Sequence, residues 1–489
     1  MGDDAAVYDA EFKAYLTKNK WSKHFDYAPI DVIAPYCERD CVYAGMMLAV
    51  YERYIEETQQ GRVWSTERAV TKVLWEMEHA GIGTDLEYAR GQLVPMKERL
   101  EDVTSSIYGY SGYEFNINST QQLNKVMGNL GVKSTVKTTK NNPSWAAQAL
   151  AQVKHPIANA ILEQRGLGKL VKDYFEKALE WEDGVQHASF KNWGAVTGRM
   201  SCANPNLHSV AKNPQDLSGD VDVALLAGAK AIVGGKAVGA KYSDETEGLV
   251  SVRRMYVPRP GYRLYMLDYS QMEMRIFADY VKDEVLSALC EDPLFDFHDH
   301  VAEQVWGVSK GDEMWDFYRF KAKGINFGLV FGMGINALSL AIDSTKDEAK
   351  RYKAEYFDRF PRAYEFIDLV SKTVEQRGWI RNRFNRRYWI DYDRSYVGVN
   401  YLIQGTGADI VKEAMVGIRE FLVERDLMSR QLVQVHDEII MEIPDDEREL
   451  VLPVVMGIME KRRIETYLPV EASVGGPSWA QKTVVELAA

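Results

Sequence analysis

The sequence lacks several features that would fix its class at once. No apolar run reaches the roughly 18 residues that span a bilayer, and the acidic N-terminus, residues 1–6, is unlike a signal or transit peptide. Four cysteines in 489 residues are too few for a disulfide framework. Positive charge is scarce, because 59 Lys and Arg against 71 Asp and Glu leave a net charge of −12, which excludes a generally basic nucleic-acid binder. We therefore expect a soluble, cytoplasmic protein whose contacts with any nucleic acid are confined to a local basic patch.

Chain length and local amino-acid composition indicate several domains. A chain of 489 residues with 46% hydrophobic residues can form roughly three domains of about 150 residues each. Segment 213–248 is rich in Gly, Ala, Val and Ser and has no aromatic residue before Tyr242, so we interpret it as an insertion. Cys37 and Cys41 are one helical turn apart, but without a nearby His or second Cys pair they are expected to be packed thiols rather than zinc ligands.

Two adjacent carboxylates, Asp437 and Glu438, follow Val435-His436 between two apolar runs, a pattern typical of a tight turn between strands. Two like charges about 4 Å apart repel by roughly 4 kcal/mol at an effective dielectric constant near 20. The pair therefore needs a cation, a shifted pKa or full solvation. A solvated hairpin tip and a divalent-metal site both satisfy this requirement.

A third carboxylate, Asp268, directly follows the strand pattern of residues 263–267. One interpretation is a cap for the helix that begins near Gln271. The other is one half of a two-metal site that Asp437 completes. Two magnesium ions held by such carboxylates can activate an attacking hydroxyl and bridge the phosphates of a nucleotide.

A helical stripe favours the second interpretation. Its four members recur every four residues: Arg319, Lys323, Phe327 and Phe331. Each step of four advances 400°, so the stripe stays within about 120° of one helix face. An amphipathic helix with solvated cations and core aromatics would show the same spacing. However, glycines at 324, 328 and 332 cost about 1 kcal/mol each in a helix interior, which suggests close approach of a ligand or a bending motion.

Together these patterns resemble the motifs of family A, the polymerase I-like DNA polymerases. The resemblance rests on three motifs in the expected order: Asp268-Tyr-Ser-Gln-x-Glu-x-Arg275, Arg319-x3-Lys323-x3-Phe327-Gly-x2-Phe331-Gly, and Val435-His-Asp-Glu438. Further matches are Arg165 to Leu170, Thr197 to Ser201, Asn204 to Leu207, Asp296-Phe-His298, and Asn400 to Thr406. The resemblance covers the chain from about Trp64 to its C-terminus.

The resemblance implies an α/β (α+β, multidomain) right-hand fold with a helical thumb, a palm carrying an antiparallel sheet, and helical fingers. The expected segments are a partial remnant of a 3′–5′ exonuclease domain at 1–62, the thumb at 63–195, the palm at 196–285 with the insertion 213–248, the fingers at 286–400, and the rest of the palm at 401–489.

The same resemblance implies a role for each matching residue. Asp268, Asp437 and the Tyr269 carbonyl would bind two Mg²⁺ ions, for which Mn²⁺ can substitute, and Glu438 would be an accessory catalytic carboxylate. The expected dNTP contacts are Arg319, Lys323, His298, Phe327, Phe331, Gln271 and Glu273, of which Glu273 would block a ribose 2′-hydroxyl. The expected primer-template contacts are Arg199, His436, Gln404 and Asn400.

Three positions depart from the family pattern. Phe331 stands where most relatives have Tyr, which removes a hydroxyl that could bond Glu273. Tyr396 stands where relatives often have Arg, and His208 stands where Gln is more usual. Sugar discrimination and the template-primer contacts are the properties these changes affect.

Near the N-terminus, Tyr36-Cys-Glu-Arg-Asp40 resembles the last motif of the family's proofreading exonuclease, although a simple helix with Tyr inside and Asp outside also fits. Asp9-Ala-Glu11 has the composition of the first exonuclease motif, but it lies too close to Asp40 to leave room for the sheet between them. We therefore expect no proofreading by this chain alone. The chain is then either truncated or paired with a separate exonuclease subunit that docks on residues 1–62, as in a bacteriophage gene split in two.

The leading hypothesis is a template-directed DNA polymerase that adds dNTPs to a primer 3′-hydroxyl during replication, monomeric apart from any exonuclease subunit, with no membrane contact. A single-subunit RNA polymerase is a second possibility, although Glu273, Phe327 and the Asp437-Glu438 pair speak against it. A DNA-binding protein without catalysis is a third. Because Phe327 lacks a hydroxyl, the resemblance also implies discrimination against dideoxynucleotides.

Overall fold

The computed structural model describes residues 2–22, 24–134, 136–137, 141–210, 232–233, 236–237, 250–330 and 332–485. These residues form two compact units, Met1–Ser65 and Thr66–Ala489, with the helix Gly61–Ala80 containing the boundary. Most of the insertion expected at 213–248 lies outside the described residues, and so does Phe331.

The first unit is helical throughout its described part. It contains α1 (Gly2–Lys18), a 3-10 turn (Phe25–Tyr27) and α2 (Ile30–Glu57). Phe12 of α1 is buried and stacks on Tyr36 of α2, with 4.1 Å between ring centroids. Apart from such contacts α2 is open, because none of its 28 residues is buried.

The second unit begins with a helical region. Its elements are α3 (Gly61–Ala80), α4 (Leu86–Ser111), α5 (Thr120–Asn129), α6 (Ala147–Leu150), α7 (Pro156–Lys169), a π-helix (Leu170–Phe175), α8 (Glu176–Ala178), and the short strands β1 (Ile82–Gly83), β2 (Val185–Gln186), β3 (Ser189–Lys191) and β4 (Ser201–Ala203). The Asp85 side chain caps α4 and the Ser119 side chain caps α5, each accepting a backbone N–H of the first turn. Fully buried Ile107, Leu123 and Ile161 join these helices in one core.

A five-stranded antiparallel sheet forms the centre of the second unit. Its strands are β7 (Tyr262–Tyr269), β10 (Arg430–Val435), β11 (Glu438–Pro444), β12 (Val470–Gly475) and β13 (Lys482–Val484), in the spatial order β10-β11-β7-β12-β13. A separate ribbon pairs β5 (Ile232–Val233) with β6 (Lys236–Ala237). The central strand β7 is buried from Leu264 to Leu267, as expected for a strand covered on both faces.

Between β7 and β10 the chain is again mostly helical. The helices are α9 (Met272–Val281), α10 (Glu284–Leu289), α11 (Phe297–Trp306), α12 (Trp315–Val330), α13 (Ile335–Ala341), α14 (Lys346–Arg359), α15 (Pro361–Arg377) and α16 (Gly398–Glu424), with the hairpin β8 (Trp379–Arg381) and β9 (Arg387–Trp389) before α16; α17 (Arg448–Glu460) follows β11. Helix α16 is the longest of these and has 16 buried residues, so it packs deep in the unit.

A buried ionic quartet joins distant segments of the second unit. Lys412 of α16, whose side chain is 0% exposed, donates to Glu67 of α3 at 2.7 Å. Arg386 also contacts Glu67, and it pairs with Asp409 at 2.5 Å. Burial lowers the pKa of Lys412, and the charge of Glu67 opposes this effect. Each charge therefore has an opposite partner, as buried ions require.

Among the described residues, none of the helices combines the length and the apolar character needed to cross a bilayer. The two cysteines of α2, Cys37 and Cys41, are exposed. The expectation that they are packed thiols is therefore wrong, because α2 presents them on a helix with no buried residue.

Candidate active site

The carboxylates of the first and third motifs meet at one end of the central sheet. Glu438 of β11 lies directly opposite Asp268 of β7 in the antiparallel register. The backbone N–H of Tyr269 donates to the Asp437 carbonyl at 3.3 Å. His436 turns the chain with a positive φ of 60°, which orients the residues that follow it toward β7. Asp268 near the end of β7 and Asp437 in the turn before β11 therefore lie next to each other.

Asp268 does not cap the helix that follows. It belongs to β7, and the N-terminal capping position of α9 is occupied by Gln271 in the left-handed region, without a side-chain cap bond. The capping interpretation is therefore wrong. The reason is that β7 continues through Tyr269, so that the chain turns into the helix only three residues after Asp268.

A cleft of about 410 Å³ opens beside these strands. It is lined by Arg199, Gln271, Met272, Glu273, Met274, Asp296, His298, Arg319, Lys323, Phe327, His436 and Asp437. Its wall therefore combines residues from all three sequence motifs, which lie far apart in the chain. A volume of this size suits a small ligand with both charged and aromatic parts.

Helix α12 provides the basic and aromatic wall of the cleft. Arg319, Lys323 and Phe327 all line it from one helix face, as the spacing of four predicts. The glycines have a different role from the expected one. A Cβ at Gly328 would lie 2.7 Å from Leu338 Cδ1, and one at Gly324 would clash with Ile342. These glycines allow α13 and Ile342 to pack closely on α12, a structural reason that the expectation of ligand approach or bending did not include.

Two carboxylates hold Arg319: Asp299 in the first turn of α11 and Asp296, the residue that caps this helix. Its NH2 group donates to Asp296 at 2.7 Å, and its Nε–H donates to Asp299. Burial lowers the pKa of Arg319, but the hydrogen bonds and charges of Asp299 and Asp296 outweigh it and raise the pKa. Two of the donor nitrogens are thus engaged with protein, while the third nitrogen, NH1, can serve a ligand.

His298 is a neutral group in the cleft. Its Nδ1 lies 2.9 Å from the side-chain nitrogen of Asn326, and its ring lies 5.6 Å from that of Phe327. Burial lowers the pKa of His298 to about 4, and the charges of Lys323 and Arg319 act in the same direction. At neutral pH the imidazole can therefore accept or donate a hydrogen bond without adding charge.

Glu273 and Gln271 connect the start of α9 to its surroundings. Arg199 donates to Glu273 at 2.5 Å, so the chain supplies a partner for this carboxylate without the tyrosine that most relatives have at position 331. The Gln271 side-chain oxygen accepts the backbone N–H of Phe297 at 2.9 Å. The side chains of Glu273 and Gln271 are therefore both held at the edge of the cleft.

A second, smaller cavity of about 20 Å³ adjoins the cleft through Arg199 and His436. His208 also lines it, with its ring 6.4 Å from that of His436. Burial, together with the charge of the nearby His436, lowers the pKa of His208 to about 4. The unusual histidine at position 208 is therefore uncharged at neutral pH.

Other expected site residues lie outside the cleft. Asn400 and Gln404 are half-buried in the first turns of α16 and do not line it. The Tyr269 ring is buried, and its hydroxyl donates to the Met459 carbonyl at 2.8 Å, so only the backbone of this residue can serve a ligand. Tyr36 and Asp40 belong to the first unit, where burial and the neighbouring Asp40 carboxylate raise the pKa of the Tyr36 hydroxyl.

Sequence reasoning missed the partners that hold the functional side chains. The sequence motif included Asp296 without a role, although an aspartate directly before a helix is a recognisable signal for an N-terminal cap. In the structure its side chain accepts the backbone N–H groups of His298 and Asp299. Asp299, Asn326 and Lys482 had no comparable signal, because each contacts its partner only after folding.

The carboxylates fit a magnesium site that a substrate helps to complete. Within the described residues, no three His, Cys, Asp or Glu side chains converge as a ready-made metal cage. Mg²⁺ typically binds through one or two carboxylates together with substrate phosphates. Asp268 of β7 and Asp437, in the turn before β11 and in the cleft that the basic face of α12 lines, provide hard oxygen donors of this kind.

Sequence comparison with known proteins finds matches over most of the second unit. The sequence model described as DNA polymerase family A matches residues 87–481. DNA polymerase I of Chloroflexus aurantiacus is 30% identical over 477 residues, covering 93% of this chain and 47% of that protein. The thermostable DNA polymerase I of Thermus aquaticus is 28% identical over 445 residues, covering 86% of this chain and 49% of that protein.

A solved structure agrees with these sequence matches. The POL domain of Pol1 from M. smegmatis, in complex with DNA primer-template and dNTP, superposes with a TM-score of 0.70 at 27% identity. The match covers 85% of this chain and 70% of that one. By sequence, the chain spans about half the length of the curated relatives reported above.

Proposed function

Because the chain belongs to DNA polymerase family A and shares the fold of its polymerase domain, we propose that it is a DNA-directed DNA polymerase that adds dNTPs to a primer 3′-hydroxyl. The single observation that carries the proposal is the cleft, which Arg319, Lys323 and Phe327 of one helix line together with Asp437 at the end of the sheet. Cations, a stacking surface and a carboxylate are what a nucleoside triphosphate requires.

Arg319 and Lys323 bind the triphosphate in this proposal. Arg319 keeps its contacts with Asp296 and Asp299 and offers NH1 to a phosphate oxygen, so its orientation is fixed before the substrate arrives. His298, neutral and buried beside Phe327, donates a hydrogen bond to the phosphates without adding charge. Phe327 packs on the sugar and base, and the resemblance gives Phe331, outside the described residues, a role in dNTP binding as well.

Asp268, Asp437 and the Tyr269 carbonyl would hold two Mg²⁺ ions, for which Mn²⁺ can substitute. When bound, these ions would acidify the primer hydroxyl and neutralise charge on the leaving pyrophosphate. The chain itself orders the two carboxylates through the β7–β11 pairing and the bond from the Tyr269 N–H to the Asp437 carbonyl. Glu438 is an accessory catalytic group, because Lys482 already pairs with one of its oxygens.

The remaining contacts select the sugar and hold the DNA. Glu273, fixed by Arg199, fills the space beside the sugar and rejects a 2′-hydroxyl, and Gln271 supports the same edge. Arg199, His436, Gln404 and Asn400 contact the primer-template in the minor groove, where acceptors are common to all base pairs. Such contacts suit an enzyme that copies any sequence.

The fold supports the division into subdomains. The central sheet is built from β7 and from β10 to β13, that is, from segments 196–285 and 401–489, which we assign to the palm. The helical segments 63–195 and 286–400 then correspond to thumb and fingers. We propose that the enzyme acts in DNA replication in the cytoplasm of a bacterial cell, and a bacteriophage origin stays a prediction.

Primer extension tests the proposal directly. Asp437→Ala should abolish incorporation of dNTPs while the affinity for primer-template stays within about twofold, because the basic contacts with DNA remain. The matched control is Asp445→Ala, which removes an exposed carboxylate from the far end of β11 and should leave extension unchanged. Full extension by the Asp437 variant would refute the mechanism.

We also propose that this chain does not proofread and that a separate 3′–5′ exonuclease subunit docks on residues 1–62. Tyr36 and Asp40 are the matching exonuclease residues, and the described part of this unit contains only helices. Helix α2 exposes a set of large apolar side chains: Val42, Met46, Met47, Leu48, Val50, Tyr51 and Tyr54. Such a surface is typical of a protein contact.

Two measurements test this second proposal. The chain alone should not degrade a labelled primer, and robust metal-dependent degradation that Asp40→Ala abolishes would contradict it. A neighbouring reading frame should encode an exonuclease domain that co-elutes with the chain, and Met47→Asp should abolish co-elution without affecting primer extension. Absence of any binding between the two products would exclude the docking.

A further inference from the structure

A buried arginine follows the cleft residues of α9 without lining the cleft itself. Arg275, the last residue of the first sequence motif, belongs to α9 and is 1% exposed. Within the part of the chain that the structure describes it makes no ion pair, because its guanidinium donates only to main-chain carbonyls. These are the carbonyls of Cys290 at 2.6 Å, Asp292 at 3.0 Å, Phe295 at 3.2 Å, Tyr467 at 3.3 Å and Pro293 at 3.4 Å. A buried charge without an ion-pair partner is unusual in proteins, and it leaves the carbonyls as the groups that stabilise this guanidinium.

Most of these carbonyls belong to the connection between α10 and α11. Its residues 291–294 are exposed, and Leu294 is 89% exposed, so packing holds this part of the chain only weakly. A local bond joins the Leu294 N–H to the Asp292 carboxylate at 2.8 Å. Backbone in an exposed connection is fixed by its hydrogen bonds rather than by a core. The contacts with Arg275 therefore determine where the connection lies and in which direction α11 begins.

Gln271, one helical turn before Arg275, holds the next part of the chain. The Arg275 N–H donates to the Gln271 carbonyl at 3.1 Å, so the two side chains start one turn apart at the same helix end. The Gln271 side-chain oxygen accepts the Phe297 N–H at 2.9 Å, whereas Arg275 donates to the Phe295 carbonyl. Phe295 and Phe297 are the two neighbours of Asp296. The start of α9 therefore holds the chain on both sides of Asp296.

Asp296 connects this arrangement to the basic wall of the cleft. Its Oδ1 accepts the backbone N–H groups of His298 and Asp299, which caps α11. Its Oδ2 accepts a hydrogen bond from Arg319 of α12 at 2.7 Å. Because each oxygen has its own partners, a shift of Asp296 would move the Arg319 guanidinium or break this charge-assisted bond. A continuous path of hydrogen bonds thus leads from Arg275, through the backbone at 295–296, to Arg319.

We propose that Arg275 is a positioning residue for the incoming triphosphate. By fixing the chain before α11 on α9, it sets the distance between Arg319 and the carboxylates at the end of β7. Helix α9 begins four residues after Asp268, so one segment carries both a carboxylate proposed to bind metal and the anchor of the arginine proposed to bind phosphate. A reacting group has to be held within about 0.5 Å of its productive position. The inference rests on the proposed function for the identity of the ligand.

A buried arginine that only stabilises the fold would behave differently. Its loss would reduce the fraction of folded molecules and the melting temperature, but each folded molecule would still bind nucleotide normally. Loss of a positioning residue instead weakens binding by the folded molecules themselves. A measurement that reports the affinity and the number of binding sites separately therefore distinguishes the two roles.

Isothermal titration calorimetry of the full chain with Mg²⁺ and dATP, without DNA, gives these two quantities. Arg275→Lys keeps the charge, but a single nitrogen lacks the fork that donates to the carbonyls of both Cys290 and Phe295. We expect the dissociation constant for dATP to rise by about tenfold, as for the loss of one hydrogen bond to a charged group. The number of sites per folded chain should stay the same. In primer extension, KM for dNTP should rise by a similar factor.

Arg165→Lys is the matched control. The Arg165 guanidinium also donates to main-chain carbonyls, those of Trp145 at 2.7 Å and Ile117 at 3.2 Å, but it does not line the cleft. This variant should change the dATP affinity by less than about twofold, whatever its effect on stability. A double variant tests the path itself. In the Asp296→Asn background, where the anchoring carboxylate is gone, Arg275→Lys should raise the dissociation constant by less than about twofold.

Asp292→Ala covers the case in which Arg275→Lys does not fold. Asp292 is exposed, and its removal loosens the same connection by freeing the Leu294 N–H, so we expect the dissociation constant to rise by about threefold. The inference is overturned if folded Arg275→Lys, or Asp292→Ala in its place, binds dATP as tightly as the wild-type chain. It is also overturned if the loss of affinity is equal with and without the Asp296 carboxylate. Failure of the wild-type chain to extend a primer would instead refute the proposed function, and the dATP affinity would still decide the role of Arg275.

Discussion

Arg319→Lys tests the proposed binding of a triphosphate in the cleft. The arginine uses Nε for Asp299 and NH2 for Asp296, which leaves NH1 for the substrate. Lysine has one nitrogen with three donors and cannot match the planar geometry of both carboxylates and a phosphate at the same time. The substitution keeps the charge and removes at least one charge-assisted hydrogen bond from the bound state.

A charge-assisted hydrogen bond contributes about 1.5 to 3 kcal/mol. We therefore expect Arg319→Lys to lower kcat/KM for dNTP by roughly 10- to 150-fold, mostly through KM. Single-nucleotide incorporation over a range of dNTP concentrations measures this change. Affinity for primer-template, measured separately, should stay constant.

Lys310→Gln is the matched control for this experiment. Lys310 also contacts Asp299, at 3.5 Å, but it is largely exposed and does not line the cleft. Its loss should change kcat/KM by less than about twofold, because an exposed ion pair contributes little. If Arg319→Lys behaved like Lys310→Gln, the proposed division of the Arg319 donors would be refuted.

Three further predictions concern substitutions at single positions. Because the pKa of His298 is lowered to about 4 in the folded chain, the unfolded chain binds a proton there at higher pH. The free energy of unfolding should therefore fall by about 3 kcal/mol between pH 6.5 and 4 because of His298. His298→Gln should remove this fall from a series of denaturation curves measured between pH 6.5 and 4, and an unchanged fall would contradict the lowered pKa. Gly328→Ala should destabilise the chain by about 1 to 3 kcal/mol, because its Cβ would meet Leu338 at 2.7 Å, whereas Gly109→Ala, with nothing within 4 Å, should be neutral or stabilising in a melting experiment. Phe327→Tyr should increase dideoxynucleotide incorporation relative to dNTP, and equal incorporation by the wild-type chain would show that the resemblance fails here.

Local patterns predicted the elements that carry the site. The strand pattern of residues 263–267 corresponds to β7, the spacing from Arg319 to Phe327 corresponds to one face of α12, and the runs around Asp437 correspond to β10 and β11. These elements depend on periodicity over a few residues, which sequence displays directly. The right-hand polymerase fold came from the resemblance and is confirmed by the structural match.

Features that depend on distant segments were wrong or missed. For the glycines of α12 only ligand approach or bending was expected, because their neighbours Ile342 and Leu338 come close only in the folded chain. The pairing of Arg319 with Asp299 joins residues 20 positions apart on different helices. The pair between Lys482 and Glu438 likewise joins two strands that are 44 positions apart in the sequence.

The buried ionic quartet has a consequence for how the chain is made. Glu67 is separated by 319 residues from Arg386 and by 345 from Lys412. At roughly 5 to 20 residues per second, a ribosome needs about 15 to 60 seconds to synthesise that interval. During this time α3 can form as a helix, but Glu67 has to remain in water until its partners emerge. The earliest helix of the second unit is therefore among the last to be fixed in place.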